Sequence, residues 1–206
     1  FDSVRTIINS NNLRSQSLTL KSLYDIKLED VVSIYKNRFI NNNDFTFIFV
    51  GNIEEDLFKG YLKKYIASIP SVDRFENWKD VGKVFPGGIT NENIYKGMEP
   101  KSFVYLTFSG QNKWSEQNTH ELNTFTNSFS SKLEKVLRER MGGTYGVWVP
   151  SSQNKYPNEK YSFRVIFGCD PDKVDTLTQA LFAQIDSVKN FGLDEEFLNK
   201  TKEQQR

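Results

Sequence analysis

A long helical stripe, from about residue 115 to 141, limits the fold of this chain more than any other feature, because it is apolar on one side only and is bracketed by segments of strand character. Leu122, Phe125, Phe129, Leu133, Val136 and Leu137 recur along it at helical spacing, and Gly142-Gly143 supplies the expected C-terminal stop. Before it, Phe103, Val104, Tyr105, Leu106 and Phe108 make residues 102–108 a strong strand. After it, residues 144–151 and 161–167 read as two further strands, joined as a hairpin through the turn-rich Asn154-Lys155-Tyr156-Pro157-Asn158. A helix with one apolar side has to lie on something, and a sheet with a hairpin in it is what the neighbouring segments offer.

The remaining segments fit the same layered plan. Residues 1–19 begin with a short helix and the polar run Ser10-Asn11-Asn12, and are expected to be the tail of a preceding domain or a linker. Leu28, Val31, Val32, Ile34, Tyr35 and Phe39 predict an amphipathic helix, stopped by Asn41-Asn42-Asn43-Asp44. In residues 45–50, β-branched and aromatic side chains fill both parities, the pattern of a central strand covered on both faces. A second stripe from Leu57 to Ile69 ends at Pro70. Residues 71–92 form a connecting segment carrying Pro86-Gly87-Gly88, and 94–98 a short strand. Asp170-Pro171 places an acceptor and a proline at the start of a helix through Val174, Leu177, Leu181, Ile185 and Val188, broken at Gly192. Leu193 and Leu198 flank Asp194 in staple spacing and open a last helix, cut off at Arg206. The order predicts an α+β class: an antiparallel or mixed sheet packed against helices as a two-layer sandwich, one domain over 20–206.

Composition excludes several function classes. At 206 residues the chain can bury a substantial core, and 17 Phe with 9 Tyr make it a core of rings. Charges nearly cancel, 27 basic against 26 acidic, so no broad field favours nucleic acid or an anionic membrane. No stretch approaches the roughly 20 apolar residues of a membrane span. The chain starts at Phe1 and stops inside a helical pattern, which reads as a piece of something longer, so a targeting signal could lie elsewhere. With one His, His120, and one Cys, Cys169, neither a His-pair metal site nor a Cys-His dyad can form unless those two meet. His120 reads as an exposed helix histidine or a ligand, and Cys169 as a small buried residue at a strand end or a thiol activated by a helix N-terminus. Gly142-Gly143-Thr144-Tyr145-Gly146 runs from helix to strand, the reverse of a phosphate loop, and Gly51-Asn52 is ordinary turn chemistry.

Arg138 falls in the last turn of the long helix and Tyr145 near the start of the next strand, with the glycine reversal between them. Such a pair donates hydrogen bonds and suits a carbonyl or oxyanion. A structural alternative stands beside it: Glu134 is placed four residues before Arg138 for a helix salt bridge, and Tyr145 can be a packed strand residue.

Several segments together resemble the pitrilysin/insulinase family of zinc metallopeptidases. They are Ile34-Tyr35-Lys36-Asn37-Arg38-Phe39, the Val50-Gly51-Asn52 close of the first strand, Ser68-Ile69-Pro70, Leu137-Arg138-Glu139-Arg140-Met141-Gly142-Gly143-Thr144-Tyr145-Gly146-Val147, and Phe167-Gly168-Cys169-Asp170-Pro171. Their collinear order from about residue 20 onward is most similar to the C-terminal, non-zinc domain in the second half of the long bacterial zinc proteases. The resemblance implies homologous α+β domains in two halves around a chamber, with zinc held by His-x-x-Glu-His in the other half. That motif does not occur in this sequence. By position, the resemblance assigns Arg138 and Tyr145 to binding of the substrate backbone and stabilisation of the tetrahedral intermediate. It implies as partners the catalytic N-terminal half of the same chain and a peptide or protein substrate, and as location the bacterial periplasm or cell envelope. Two rival readings remain: a non-catalytic assembly or processing-partner subunit of the same fold, and a free-standing peptide-binding module using a sheet edge.

Overall fold

The computed structural model describes residues 2–39, 41–72, 77, 79, 85–156 and 158–205. They fall into two compact units, Phe1–Val84 and Phe85–Arg206. Residues 73–76, 78 and 80–84 of the expected connection over 71–92 lie outside the described residues, as does Pro157 in the hairpin turn.

In the first unit, α1 (Asp2–Ile8) ends where Ser10 and Asn11 take positive φ, a conformation that polar residues of this kind tolerate. Helix α2 (Leu20–Tyr24) opens with a reciprocal capping box between Thr19 and Ser22. Helix α3 (Leu28–Phe39) has the bounds its stripe predicts, with Glu29 and Asp30 in its first turn and Lys36 and Arg38 in its last, matching the helix dipole. The asparagine run does more than stop it. Asn41, fully buried, accepts hydrogen bonds from the backbone N–H groups of Asn43 and Val72, and the Asn42 N–H donates to the Pro70 carbonyl. Asn43 in turn donates to the Val72 carbonyl and accepts from Ser71, so three polar residues pin the exit of α4 (Glu55–Tyr61), which continues as a π-helical turn over Leu62–Ile66.

Residues 45–50 depart from expectation. They are extended, but among the described residues they belong to no ladder, and their side chains are exposed. Phe45, Phe47 and Phe49 instead stack in sequence, continuing from Tyr35 and Phe39 and ending edge-on against Phe58. Thr46, Ile48 and Val50, on the other parity, have no such neighbours, and Val50 is 94% exposed. Residues 94–98 are exposed and form no strand, with Gly97 at positive φ.

The second unit contains every buried apolar side chain of the described residues. Strand β1 (Ser102–Gln111) is followed by α5 (Glu116–Leu133), whose Ser115 cap accepts from the Asn118 N–H and which continues as a π-helical turn, Glu134–Arg140. Strands β2 (Val147–Trp148), β3 (Ser151–Asn154) and β4 (Lys160–Cys169) complete an antiparallel sheet in the order β1-β4-β2, with β3 also on β4. Strand β4 is thus the interior strand among the described residues, whereas residues 102–108, whose apolar run also suits an interior position, lie on β1 at an edge. The β2 and β3 ladders hold one register against β4, and the gap between them falls at Pro150, which has no N–H to give; its carbonyl still accepts from Arg164.

Side chains alternate across the sheet. Val147, Val149, Val165, Phe167 and Cys169 point to the side where Phe129, Leu133 and Leu137 of α5 pack with Leu177 and Leu181 of α6 (Val174–Phe191). Phe125 stacks on Phe129 and meets Phe163 edge-on, joining helix to sheet. Asp170-Pro171 begins a single 3₁₀ turn before α6, where the Asp170 carboxylate accepts no capping hydrogen bond and pairs instead with Lys173. Helix α7 (Glu195–Gln204) lies antiparallel along α5, held by Ser128 to Thr201, Lys132 to Asp194 and Lys135 to Glu196. The result is the expected α+β arrangement of an antiparallel sheet under helices.

Candidate functional site

The segment from Leu137 to Val147 is built between two buried anchors, Leu137 on the π-helical turn and Val147 on β2. The widened turn closes through hydrogen bonds from the Met141 N–H to the Val136 carbonyl and from the Gly143 N–H to the Leu137 carbonyl. Gly142 takes φ +59°, where a side chain is strained, and Gly143 allows the backbone to lie against Leu177. Beyond the reversal, the buried Thr144 hydroxyl donates to the Gly146 carbonyl and accepts from the Gly146 N–H, tying off a tight bend with Tyr145 at its tip.

Tyr145 is 98% exposed, its ring free of the packing that the strand alternative requires. Arg138, half exposed, is paired with Glu134, as the helix salt-bridge alternative predicts. No hydrogen bond joins Arg138 to Tyr145. They are held on either side of one glycine reversal, each presenting donors to solvent.

Neither singleton residue meets the other. His120 is exposed near the start of α5, whereas Cys169 is buried on the core side of β4. Burial pushes the Cys169 thiol pKa up, Asp170 and Asp172 push it further, and Lys173 opposes them, so the helix N-terminus does not activate it. Among the described residues no three His, Cys, Asp or Glu side chains are grouped to hold a metal ion. No described helix is long and apolar enough to cross a membrane.

Two side chains beside this segment escaped sequence reading. Trp148, 58% exposed, projects from β2 on the side opposite Val147 and Val149, and its ring lies against Gly146. Arg164 projects to the same side from β4. The signals were present: a tryptophan between two valines, and an arginine flanked by Phe163 and Val165 in a strand.

The chain belongs to peptidase family M16: its residues 25–205 match the family's "Peptidase M16 inactive domain". It is similar to the probable zinc protease PqqL of Haemophilus influenzae, 28% identical over 167 residues that make up 81% of this chain and 18% of that protein. In fold it resembles the periplasmic protease PqqL from Escherichia coli, with a TM-score of 0.81 at 19% identity over 98% of this chain and 22% of the other. A second likeness, TM-score 0.74 at 17% identity with the same coverage, is to a mutant of the ferredoxin protease FusC in complex with Arabidopsis ferredoxin. The chain thus spans about a fifth of the length of these relatives. The zinc that the first relative's name implies does not fit the residues of this chain, which offer one His, one Cys and no His-x-x-Glu-His.

Proposed function

We propose that this chain serves a zinc metalloendopeptidase as its non-zinc, C-terminal-type domain, closing a chamber around a peptide whose bond is cut by a catalytic half elsewhere in the same polypeptide. The observation that carries the reading is the match to the M16 inactive domain along residues 25–205, in a sequence without a zinc motif. In this reading 1–19 are the tail of a preceding segment and 20–206 one family domain. Arg138 and Tyr145 donate to the backbone carbonyl at the scissile bond as negative charge develops there. The exposure of Tyr145 and the rigid glycine bend beneath it support that role. The name of the E. coli relative supports a periplasmic or cell-envelope location.

A second reading, an assembly or processing-partner subunit without proteolysis, is favoured by the engagement of Arg138 with Glu134. Zinc analysis and peptide-cleavage assays on the full-length gene product separate the two. One zinc per chain with chelator-sensitive cleavage supports the peptidase; a folded, metal-free product that cleaves nothing favours the subunit.

A further inference from the structure

The sheet has a second face, turned away from α5 and α6, and its chemistry is one-sided. Trp148, Pro150 and Arg164 share it: Trp148 is opposite Ile166, and Pro150 receives the Arg164 N–H. Trp148 and Pro150 are exposed and Arg164 half-buried. By strand geometry the tryptophan and the arginine are diagonal neighbours, roughly 7 to 8 Å apart at the backbone. Arg164 therefore lies across from Pro150, while the Trp148 ring leans the other way along its strand, over Gly146.

Among the described residues the Arg164 guanidinium makes no hydrogen bond and no ion pair, whereas Lys132, Lys135, Arg138 and Lys173 of the same unit each face an acid. Strands β1 to β4 contain no Asp or Glu at all, and the other cation of this face, Lys160, rests over the Phe85 ring. In a chain with nearly equal numbers of acids and bases, the strands thus contribute only cations to this face. Tyr105, on the neighbouring strand, is within electrostatic reach of Arg164; burial raises its hydroxyl pKa, and Arg164 opposes that shift. The phenol is thus a donor at neutral pH.

We propose that Arg164, opposite Pro150 and diagonal to Trp148 on this face, anchors an acidic side chain of an extended peptide substrate. This rests on the peptidase reading above and adds the class of substrate: peptides with an internal Asp or Glu. A planar guanidinium fork donates two parallel hydrogen bonds to a carboxylate, and the half-buried position of Arg164 limits the water that would weaken them. Trp148 adds a flat surface for the aliphatic part of the ligand.

The test is equilibrium binding, read by fluorescence anisotropy on the full-length gene product with chelator present so that nothing is cut. The probes are labelled peptides of roughly ten residues, long enough to lie along a strand, with a central Glu or a central Gln, each with free and amidated C-terminus. The Glu peptides should bind on the order of tenfold more tightly than the Gln peptides, whichever C-terminus they carry. Arg164→Gln should reduce that preference below about twofold, Arg164→Lys should keep part of it, and Trp148→Ala should weaken both peptides alike. Lys200→Gln, which removes the same charge from α7, should leave the preference intact. Equal binding of Glu and Gln peptides, binding of neither, a preference that follows only the free C-terminus, or one that survives Arg164→Gln would each overturn the proposal. Because the readout is binding, it fails or stands separately from zinc-dependent cleavage.

Discussion

A Cβ placed on Gly143 would stand 2.5 Å from Leu177 Cδ2 and 3.1 Å from its Cγ, so a residue just past α5 is held to glycine by a leucine of α6. Leu177 is buried in the core and has little room to move. Gly143→Ala should therefore cost about 1–3 kcal/mol through overpacking, measured as a fall in the denaturant midpoint at unchanged slope. Leu177→Ala, destabilising alone, should offset part of that cost in the double variant. Strict additivity would mean that the glycine is required for another reason.

The Lys132 ammonium, its side chain 8% exposed, is 2.9 Å from the Asp194 carboxylate, which is half exposed. Removing the acid leaves a buried cation without its partner, so Asp194→Ala should cost about 1–2 kcal/mol, below the full-burial range because water reaches that side. Lys132→Met, of similar volume and no charge, should cost less than about 1 kcal/mol. Thermal melts of the two variants decide this. A lysine variant at least as unstable as the aspartate variant would contradict it.

That ion pair also explains where sequence reading reached its limit. Asp194 was legible as a cap from its place before Glu195, yet its carboxylate makes no cap bond, because it is committed to a lysine 62 residues away. Local spacing carried α3, α5, α6 and the return of the chain onto β4, although the strand expected at 144–151 is divided into β2 and β3 around Pro150. It gave the Gly142-Gly143 stop but not the reason for the second glycine, which lies on α6. It failed for 45–50, because aromatic and β-branched residues describe a surface ready for burial without naming what pairs with it. For the site, the Arg138 and Tyr145 spacing was visible, whereas the cationic sheet face needed the register to bring Trp148 and Arg164 together.

Cys169 should be inert at neutral pH. Its folded pKa is raised, so the folded state keeps the thiol proton at pH values where the unfolded chain has lost it. Its contribution to stability is therefore fully present below the unfolded thiol value and is lost as pH rises through the alkaline range toward the folded one. Thiol-reactive reagent should label the native protein only at the rate of unfolding, and Cys169→Ala should flatten part of the alkaline decline in stability. Rapid native labelling at neutral pH would show the thiol to be accessible.

The proposed role of Tyr145 has the sharpest kinetic consequence. A donor that serves the carbonyl oxygen only as charge develops contributes about 3 kcal/mol, so Tyr145→Phe in the full-length, zinc-loaded protein should lower kcat and kcat/KM together, on the order of a hundredfold. The substitution keeps the ring, and the ring is exposed, so melting temperature and zinc content should not change. Arg138→Lys should also slow turnover, because an ammonium lacks the planar fork, whereas a purely structural pairing with Glu134 would tolerate it. If Arg138 only caps its own helix through that pair, Arg138→Ala should cost a few tenths of a kcal/mol in stability and nothing in rate. Kinetics of Tyr145→Phe therefore discriminate between a transition-state donor and an exposed surface tyrosine, and an unchanged kcat/KM on folded, metal-loaded protein assigns it to the latter.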